Sequence, residues 1–568
     1  MHVPGADDDF SNTGRTDNRT LFCKCTSVFG KPKFSVLVSR WILPNREHYI
    51  MGRFGHGWRI FSLVAACVLA LSVVASATTY YIDYAAGSDS NNGTSTATPW
   101  QHLRGMQGCI ANCAKTTPKA GDSFILKGGV TWPNAAFPIT WSWSGTSSAP
   151  IYIGVDQTWY TGSSWSRPIF NAGGKPISGS KNEFIWSPSV SYVTWDNIEM
   201  TGLNWSTSYA YGHLACGYFA ETTYVTLSNW YVHGWSHTGG VTTDGFICVI
   251  GYGGSTASPG DLITHMVFDG SDSITGGTSG AMIYVWPSVT YSICHDVPDC
   301  LLLAGDGEVA YNLIYNINAD FDAATHADAI QLNADDGRPF YIHDNVIHDV
   351  NIGEPMFLGT PRGLPAHTVY VWNNVLYNLY NDVAFNLDAR YGNWTGYYFN
   401  NTATGTSSGV NGTGNCFQID SAAYTVTLFI ENNHCITTGA LHNIASMAPL
   451  DPLTEKGNIT MTPTEAAAAG YSATQTYVYS PTSSNCSGQS HCPVGAGTNL
   501  ASMATGALAI LQSDTTYACT QNAANQSVCP SRTSNRRSAG SAWDAGAYLY
   551  SAGGAAPAAP KGLTAVVH

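Results

Sequence analysis

The clearest pattern is a short strand that alternates apolar and polar positions and returns many times. It reads FICVI, MIYVW, LLLAG, IQLNA, MFLGT, FNLDA and FQIDS, beginning at Phe246, Met282, Leu301, Ile330, Met356, Phe385 and Phe417. With the first and third residues buried, the second and fourth face outward, as in a half-buried strand of period two. A second strand recurs between these copies, as VTWDNIEM, VTLSNWYV, VAYNLIYN, YIHDNVIHD, YVWNNVLYN and FIENNHCI, among others. Its turn anchor falls at Asn197, Asn229, Gly270, Ser292, Asn312, Asn345, Asn374, Asn401 and Asn433. Irregular repeats of a few tens of residues with strands in every unit predict a solenoid. One tight turn and looser loops per coil suit a parallel β-helix better than a propeller. Asparagine stacked at a repeated turn bonds backbone groups of adjacent coils, so the column reads as structural.

The stretch His326 to Val350 holds one copy of each strand, and its histidines invite a catalytic reading. His or Tyr followed by Asp or Asn recurs, however, at His295-Asp296, Tyr315-Asn316, His348-Asp349 and Tyr377-Asn378, which marks the pair as a property of the turn. Asp299, Asp328 and Glu354 also occupy equivalent places before the first strand and read as turn caps.

The outward positions change character along the chain. They are apolar or small in the first three copies, then become Gln331 and Asn333, Phe357 and Gly359, Asn386 and Asp388, Gln418 and Asp420. Between Glu183 and Glu455 the only Lys or Arg residues are Arg338, Arg362 and Arg390, each just past one of these strands. At about 4.8 Å between coils they should form a ladder beside Asp335, Asp336, Asp388 and Asp420. Mutual charge compensation at the surface is the plain alternative and is worth little energetically.

Composition agrees with an all-β chain: 11% of residues are charged, and 58 Gly, 31 Tyr and 17 Trp accompany no long helical periodicity. Residues 51–77 read as a signal peptide, with Arg53 and Arg59, the apolar run Ile60 to Val74, and Ala75-Ser76-Ala77. Residues 1–50 then form an upstream, disordered extension. Beyond residue 77 the net charge is −18, counted from the sequence, which argues against nucleic acid and anionic membranes as partners. The expectation is a secreted, extracellular or periplasmic monomer with no membrane span in its mature form. Twelve cysteines follow Ala77 and favour disulfides over zinc, with Cys109/Cys113, Cys486/Cys492 and Cys519/Cys529 as natural pairs.

The mature start, TTYYIDYAAGSDSNNGTSTATPWQHL, resembles the opening segment of secreted bacterial right-handed parallel β-helix proteins of the pectate-lyase-like superfamily. GDSFILKGG (Gly121 to Gly129) continues the match, and SAWDAGAYLY (Ser541 to Tyr550) is similar to their closing strand. The resemblance spans 78–550, including a disulfide-bearing C-terminal region. Residues 551–568 read as a linker and a fibronectin-type-III-like stub. The resemblance implies action on a polysaccharide along one sheet and its loops.

The chemistry then divides three ways. A polysaccharide lyase acting on a uronate glycan would use Arg338, Arg362 or Arg390 with Asp388 and Asp420 as catalytic groups. Gln331, Asn333, Asn386 and Gln418 would bind substrate, and Ca2+ would sit at Asp335 and Asp336. This chain lacks the lysine that some lyases use. A glycoside hydrolase would use Asp388 and Asp420 as a carboxyl pair. The Asn-Thr-Asp and Gly-His-Gly motifs of polygalacturonase-like hydrolases are absent from the sequence beyond residue 77. A non-catalytic glycan-binding or surface protein is the third reading.

Overall fold

The computed structural model describes residues 77–178, 183–205, 214–237, 247–251, 259–275, 283–303, 307–318, 328–333, 338–351, 353–359, 367–379, 383–388, 392–404, 414–421, 424–443, 453–469, 491–516, 518–529 and 533–550. They belong to one compact unit. The expected extension, the signal segment up to residue 76 and the C-terminal stub lie outside the described residues.

The chain coils into a parallel β-helix. Among the described residues, sheets A, B and C hold 13, 14 and 11 strands, and in sheets A and C the spatial order of strands follows the sequence order. Every pairing within these three sheets is parallel, from Thr79–Ile82 against Ser123–Leu126 at one end to Val426–Glu431 against Leu453–Lys456 at the other. Each coil runs through A, B and C in turn. The inward residues of all three faces form one continuous apolar core that includes Ile342, Val371, Tyr398 and Ile430 from sheet A and Ile330, Leu332, Leu358 and Leu387 from sheet C.

The A-to-B corner explains the asparagines. Asn312, Asn345, Asn374, Asn401, Asn433 and Asn458 form a ladder in which each side-chain Nδ2 donates to the next Oδ1, at 2.9 to 3.2 Å. Each Oδ1 also accepts the backbone N–H of the coil before it. Buried corner amides are thereby satisfied without water.

The residue just before the ladder position has positive φ in coil after coil: Asn197, Asn229, His265, Tyr291, Tyr311, Asp344, Asn373, Asn400 and Asn432. This conformation is uncommon outside Gly, and Asn and Asp tolerate it best. Two columns are therefore merged in the sequence repeat. Asn197 and Asn229 belong to the positive-φ column, not to the ladder. Gly270 is in neither, since Val267 pairs with Ile293 and puts Met266 in register with Ser292. Gly270 follows the strand Val267–Asp269 instead.

The coil also continues further than its sequence signature, through Leu453–Lys456 and Ile459–Met461. The C-terminal residues then run back over the outside. Leu500, Leu511 and Trp543 pack with Trp372 and Phe399 on sheet A, against the outward ring row Tyr341, Tyr370, Tyr397 and Phe429. Ala518, Ala547 and Tyr548 pack on the outer face of sheet B with Val267, Ile293, Leu313, Val346 and Val375. Two buried guanidinium groups fasten this segment. Arg537 donates to Leu511 O (3.1 Å), Ser513 O, Gly546 O (3.1 Å) and Asn373 Oδ1 (3.0 Å). Arg167 donates to Ala524 O at 3.1 Å, Asn525 O at 3.0 Å and Asn229 O at 3.0 Å.

Disulfides join Cys109–Cys113 and Cys519–Cys529, as the spacing suggested, and also Cys216–Cys248, Cys294–Cys300 and Cys416–Cys435. Cys492 is disulfide-bonded, and its expected partner Cys486 lies outside the described residues. No helix among the described residues is long and apolar enough to cross a membrane.

Candidate functional site

Four sheet C strands position the polar row: Asp328–Asn333 (β1), Glu354–Gly359 (β2), Phe385–Asp388 (β3) and Phe417–Ser421 (β4). Their register aligns Gln331 with Phe357, Phe357 with Asn386, Asn386 with Gln418, and Gln418 with Asn443. Extended toward the N-terminus, the same outward row passes Leu302, Tyr284, Gly251, Tyr218 and Trp186. The alternation read from the sequence produces this line from Leu302 onward; in MIYVW it is displaced by one residue, since Ile283 pairs with Leu301 and is buried in the core while Tyr284 joins the outward row. Trp186 and Tyr218 stack on each other, with centroids 4.3 Å apart and planes 7° apart. Their facing surfaces are consumed by that contact, which leaves hydrogen bonding by the amides as the row's main polar resource.

Gln331 and Gln418 are half-buried, whereas Asn386 is 2% exposed. Asn386 Nδ2 donates to Glu354 Oε1 at 2.7 Å, and Asn386 Oδ1 is a buried acceptor with no hydrogen-bond partner. The sequence offered no signal for the Glu354–Asn386 bond beyond the equivalence of Glu354 with Asp328, which the register bears out. Asp299 and Asp328 are buried, and Asp299 Oδ1 accepts the Asp328 N–H at 2.8 Å, a bond between equivalent positions of adjacent coils rather than a cap on the preceding turn.

The other expected site residues divide as follows. Arg338 is half-buried, two residues before the sheet A strand Phe340–His343. Arg362, Arg390, Asp335 and Asp336 lie outside the described residues, and for Asn333, Asp388 and Asp420 only the strand is described. Asn333 pairs with Gly359 and Gly359 with Asp388. An irregularity after Leu387 then sets Asp388 opposite Ser421, so the adjacent-coil equivalence of Asp388 and Asp420 is displaced by one residue.

A second cluster of titratable groups lies on sheet B. The register there runs His233, Asp269, His295, Tyr315, His348, Tyr377. From His295 to Tyr377 the rings stack at 4.7, 5.1 and 4.8 Å. His348 Nδ1 bonds Asp349 Oδ2 at 2.6 Å and Asn378 donates to Asp349 Oδ1 at 3.0 Å, so the His-Asp pairs belong to the stacked column. Burial would push the Asp349 carboxyl up, but the bonds from His348 and Asn378 hold it below its usual range. His233 is bracketed by Asp272 Oδ2 at 2.7 Å and Glu199 Oε1 at 3.3 Å. Burial opposes its protonation, yet the two carboxylates prevail and lift it to about 9.

Asp269, His295 and Asp296 bring ligand-type atoms within 4.8 Å of one another, the arrangement of a small metal site. Three donors fall short of the six to eight oxygens that calcium takes. Those donors are also engaged: Asp269 accepts from Ser271 and Tyr231, Asp296 accepts from Asn316, and His295 bonds Asp296 and Gln521. The set fits a hydrogen-bonded histidine that ties the coil to the C-terminal segment better than it fits calcium.

No family model matches the sequence. A stretch of 142 residues is 28% identical to the lacto-N-biosidase of Bifidobacterium longum subsp. longum, covering 23% of this chain and 8% of that protein. Among solved structures, the chain is similar to the GH136 lacto-N-biosidase from Eubacterium ramulus (11% identity, 71% of each chain, TM-score 0.41). It is also similar to a rhamnogalacturonan lyase (14%, 67% of this chain and 87% of that one, TM-score 0.40) and to the pectate lyase Pel9A (14%, 84% and 98%, TM-score 0.37). Three parallel sheets, successive coils and an asparagine-lined corner make this chain a parallel β-helix protein.

Proposed function

We propose that the protein cleaves a polysaccharide laid across the outer face of sheet C, over the rungs of Gln331, Asn386 and Gln418. The observation that carries this reading is the register that draws the three amides into one row. The described C-terminal residues cover parts of sheets A and B, which supports sheet C as the working face. Amides both donate to and accept from hydroxyls, the commonest groups on a glycan. The disulfides suit an exported protein that meets such polymers outside the cell.

Two chemistries remain in view. β-Elimination needs a cation to neutralise a uronate carboxylate and a base for the C5 proton, and Arg338 with Arg362 or Arg390 is the group to supply them. Hydrolysis needs an acid and a base or nucleophile, and Asp388 and Asp420 are its candidates. The partial relation to a lacto-N-biosidase gives the hydrolase reading its own support.

The test is incubation of the full exported chain with uronate and neutral polymers, following reducing ends and the ultraviolet absorbance of an unsaturated sugar. Both signals together identify a lyase, and reducing ends alone a hydrolase. Binding without either product leaves a glycan-binding protein, and neither binding nor product on any polymer removes the proposal.

A further inference from the structure

The polar row holds one side chain whose orientation is fixed by a neighbour. Asn386 is 2% exposed and donates from Nδ2 to Glu354 Oε1 at 2.7 Å. A carboxylate accepts and does not donate, so it selects the amide flip with Nδ2 toward Glu354 and Oδ1 away from it. That oxygen is buried without a partner. A buried acceptor left unpaired is costly, and in a native structure it asks for a ligand, a water or a functional reason. It stands in the row between Phe357 and Gln418, and Gln418 is half-buried on the adjacent rung.

Resting on the reading that this row meets a glycan, we propose that Glu354 is a positioning residue that presents Asn386 Oδ1 as an acceptor for a sugar hydroxyl or acetamido N–H, and so disfavours a uronate carboxylate at this rung. A carboxylate of the polymer would bring only acceptors to an acceptor, beside the Glu354 carboxyl. The inference selects a neutral sugar unit for this subsite, whichever bond-breaking chemistry operates further along the row.

The experiment is affinity electrophoresis of the full chain, with melting temperatures in parallel, through gels holding galactan or xylan as neutral polymers and polygalacturonate or alginate as uronate polymers. Wild type should be retarded most by a neutral polymer. Asn386→Leu should weaken that binding about threefold to tenfold, the weight of one hydrogen bond, without a fall in melting temperature that could account for it. Glu354→Ala should lose as much, because the amide is then free to turn. Glu354→Gln can donate to Asn386 Oδ1 as well as accept from Nδ2, so the flip is no longer selected and neutral-polymer binding should fall part of the way toward that of Glu354→Ala. Asn386→Leu binding within twofold of wild type, or stronger retardation of wild type by the uronate polymers, overturns this inference and leaves the proposed function standing. Wild type unretarded by all four polymers overturns both.

Discussion

Replacing Asn374 by Ala tests the physical account of the coil. Asn374 is fully buried. Its Oδ1 accepts from Asn345 N at 3.1 Å and Asn345 Nδ2 at 2.9 Å. Its Nδ2 donates to Asn401 Oδ1 at 3.0 Å, Ile342 O at 3.0 Å and Trp372 O at 3.1 Å. In the alanine variant the Asn345 N–H loses its acceptor inside the protein, at about 1–3 kcal/mol. Asn345 Nδ2 keeps Val309 O as a partner at 2.8 Å and suffers less. The Nδ2 group has two hydrogens to share among its three acceptors, so losing them adds about 0.5–1.5 kcal/mol for each of two bonds, and the terms overlap. An overall loss of about 3–5 kcal/mol is expected, a large part of the stability of an ordinary domain.

Urea unfolding measures the global effect. Because a solenoid need not unfold in one step, hydrogen exchange at the Asn345 amide supplies a local reading. That amide should exchange about a hundredfold faster in Asn374→Ala, the equivalent of roughly 3 kcal/mol. An unchanged Asn345 amide, together with a urea shift worth less than about 1 kcal/mol, would refute the claim that the ladder holds the corner.

Three further outcomes are expected. Arg537→Met removes a buried guanidinium, held near a pKa of about 10 by burial, that ties Leu511, Gly546 and Asn373 together. The C-terminal segment should become protease-sensitive while the coil keeps its far-ultraviolet circular dichroism; resistance equal to wild type would contradict the clamp. His233 is raised to about 9 in the folded chain, so its bridge to Glu199 and Asp272 contributes fully below the unfolded value near 6.5 and is lost as pH rises through 9. Melting temperature should therefore fall between pH 6.5 and 9 more steeply in wild type than in His233→Gln, and parallel curves would remove the argument. The Cys216–Cys248 disulfide joins neighbouring rungs of sheet C, so the double Ser variant should lower the urea midpoint by an amount equivalent to about 2–4 kcal/mol, and an unmoved midpoint would show that it does not constrain the coil.

Much of the coil was legible because one residue type repeats where one hydrogen-bonding problem repeats. Asn at 345, 374, 401 and 433 marks the corner because each amide serves the next coil. Ser292 keeps its place in the column, but where Met266 takes that place the signal fails, and Gly270 lies near it without belonging to it. The N-terminal rungs, such as Ile151–Gly154 against Ser191–Asp196, lack the asparagine and leave no repeat to read. The C-terminal cover was not legible either, since the contacts of Arg167 with Ala524 and Asn525 span more than three hundred residues.

At the site, strict alternation was enough to align Gln331, Asn386 and Gln418. The Glu354–Asn386 bond, 32 residues apart, depends on packing between coils. The offset of Asp388 to Ser421 comes from a local irregularity that no residue in FNLDA or FQIDS announces.

The central claim is that a glycan lies along sheet C. A crystal structure of the full chain with a bound oligosaccharide, taken from whichever polymer it retains, tests this most directly. The account predicts sugar density across the rungs of β1 to β4, within hydrogen-bonding distance of Gln331, Asn386 or Gln418. Density confined to the outer face of sheet A or B, or to the end of the coil, would contradict it.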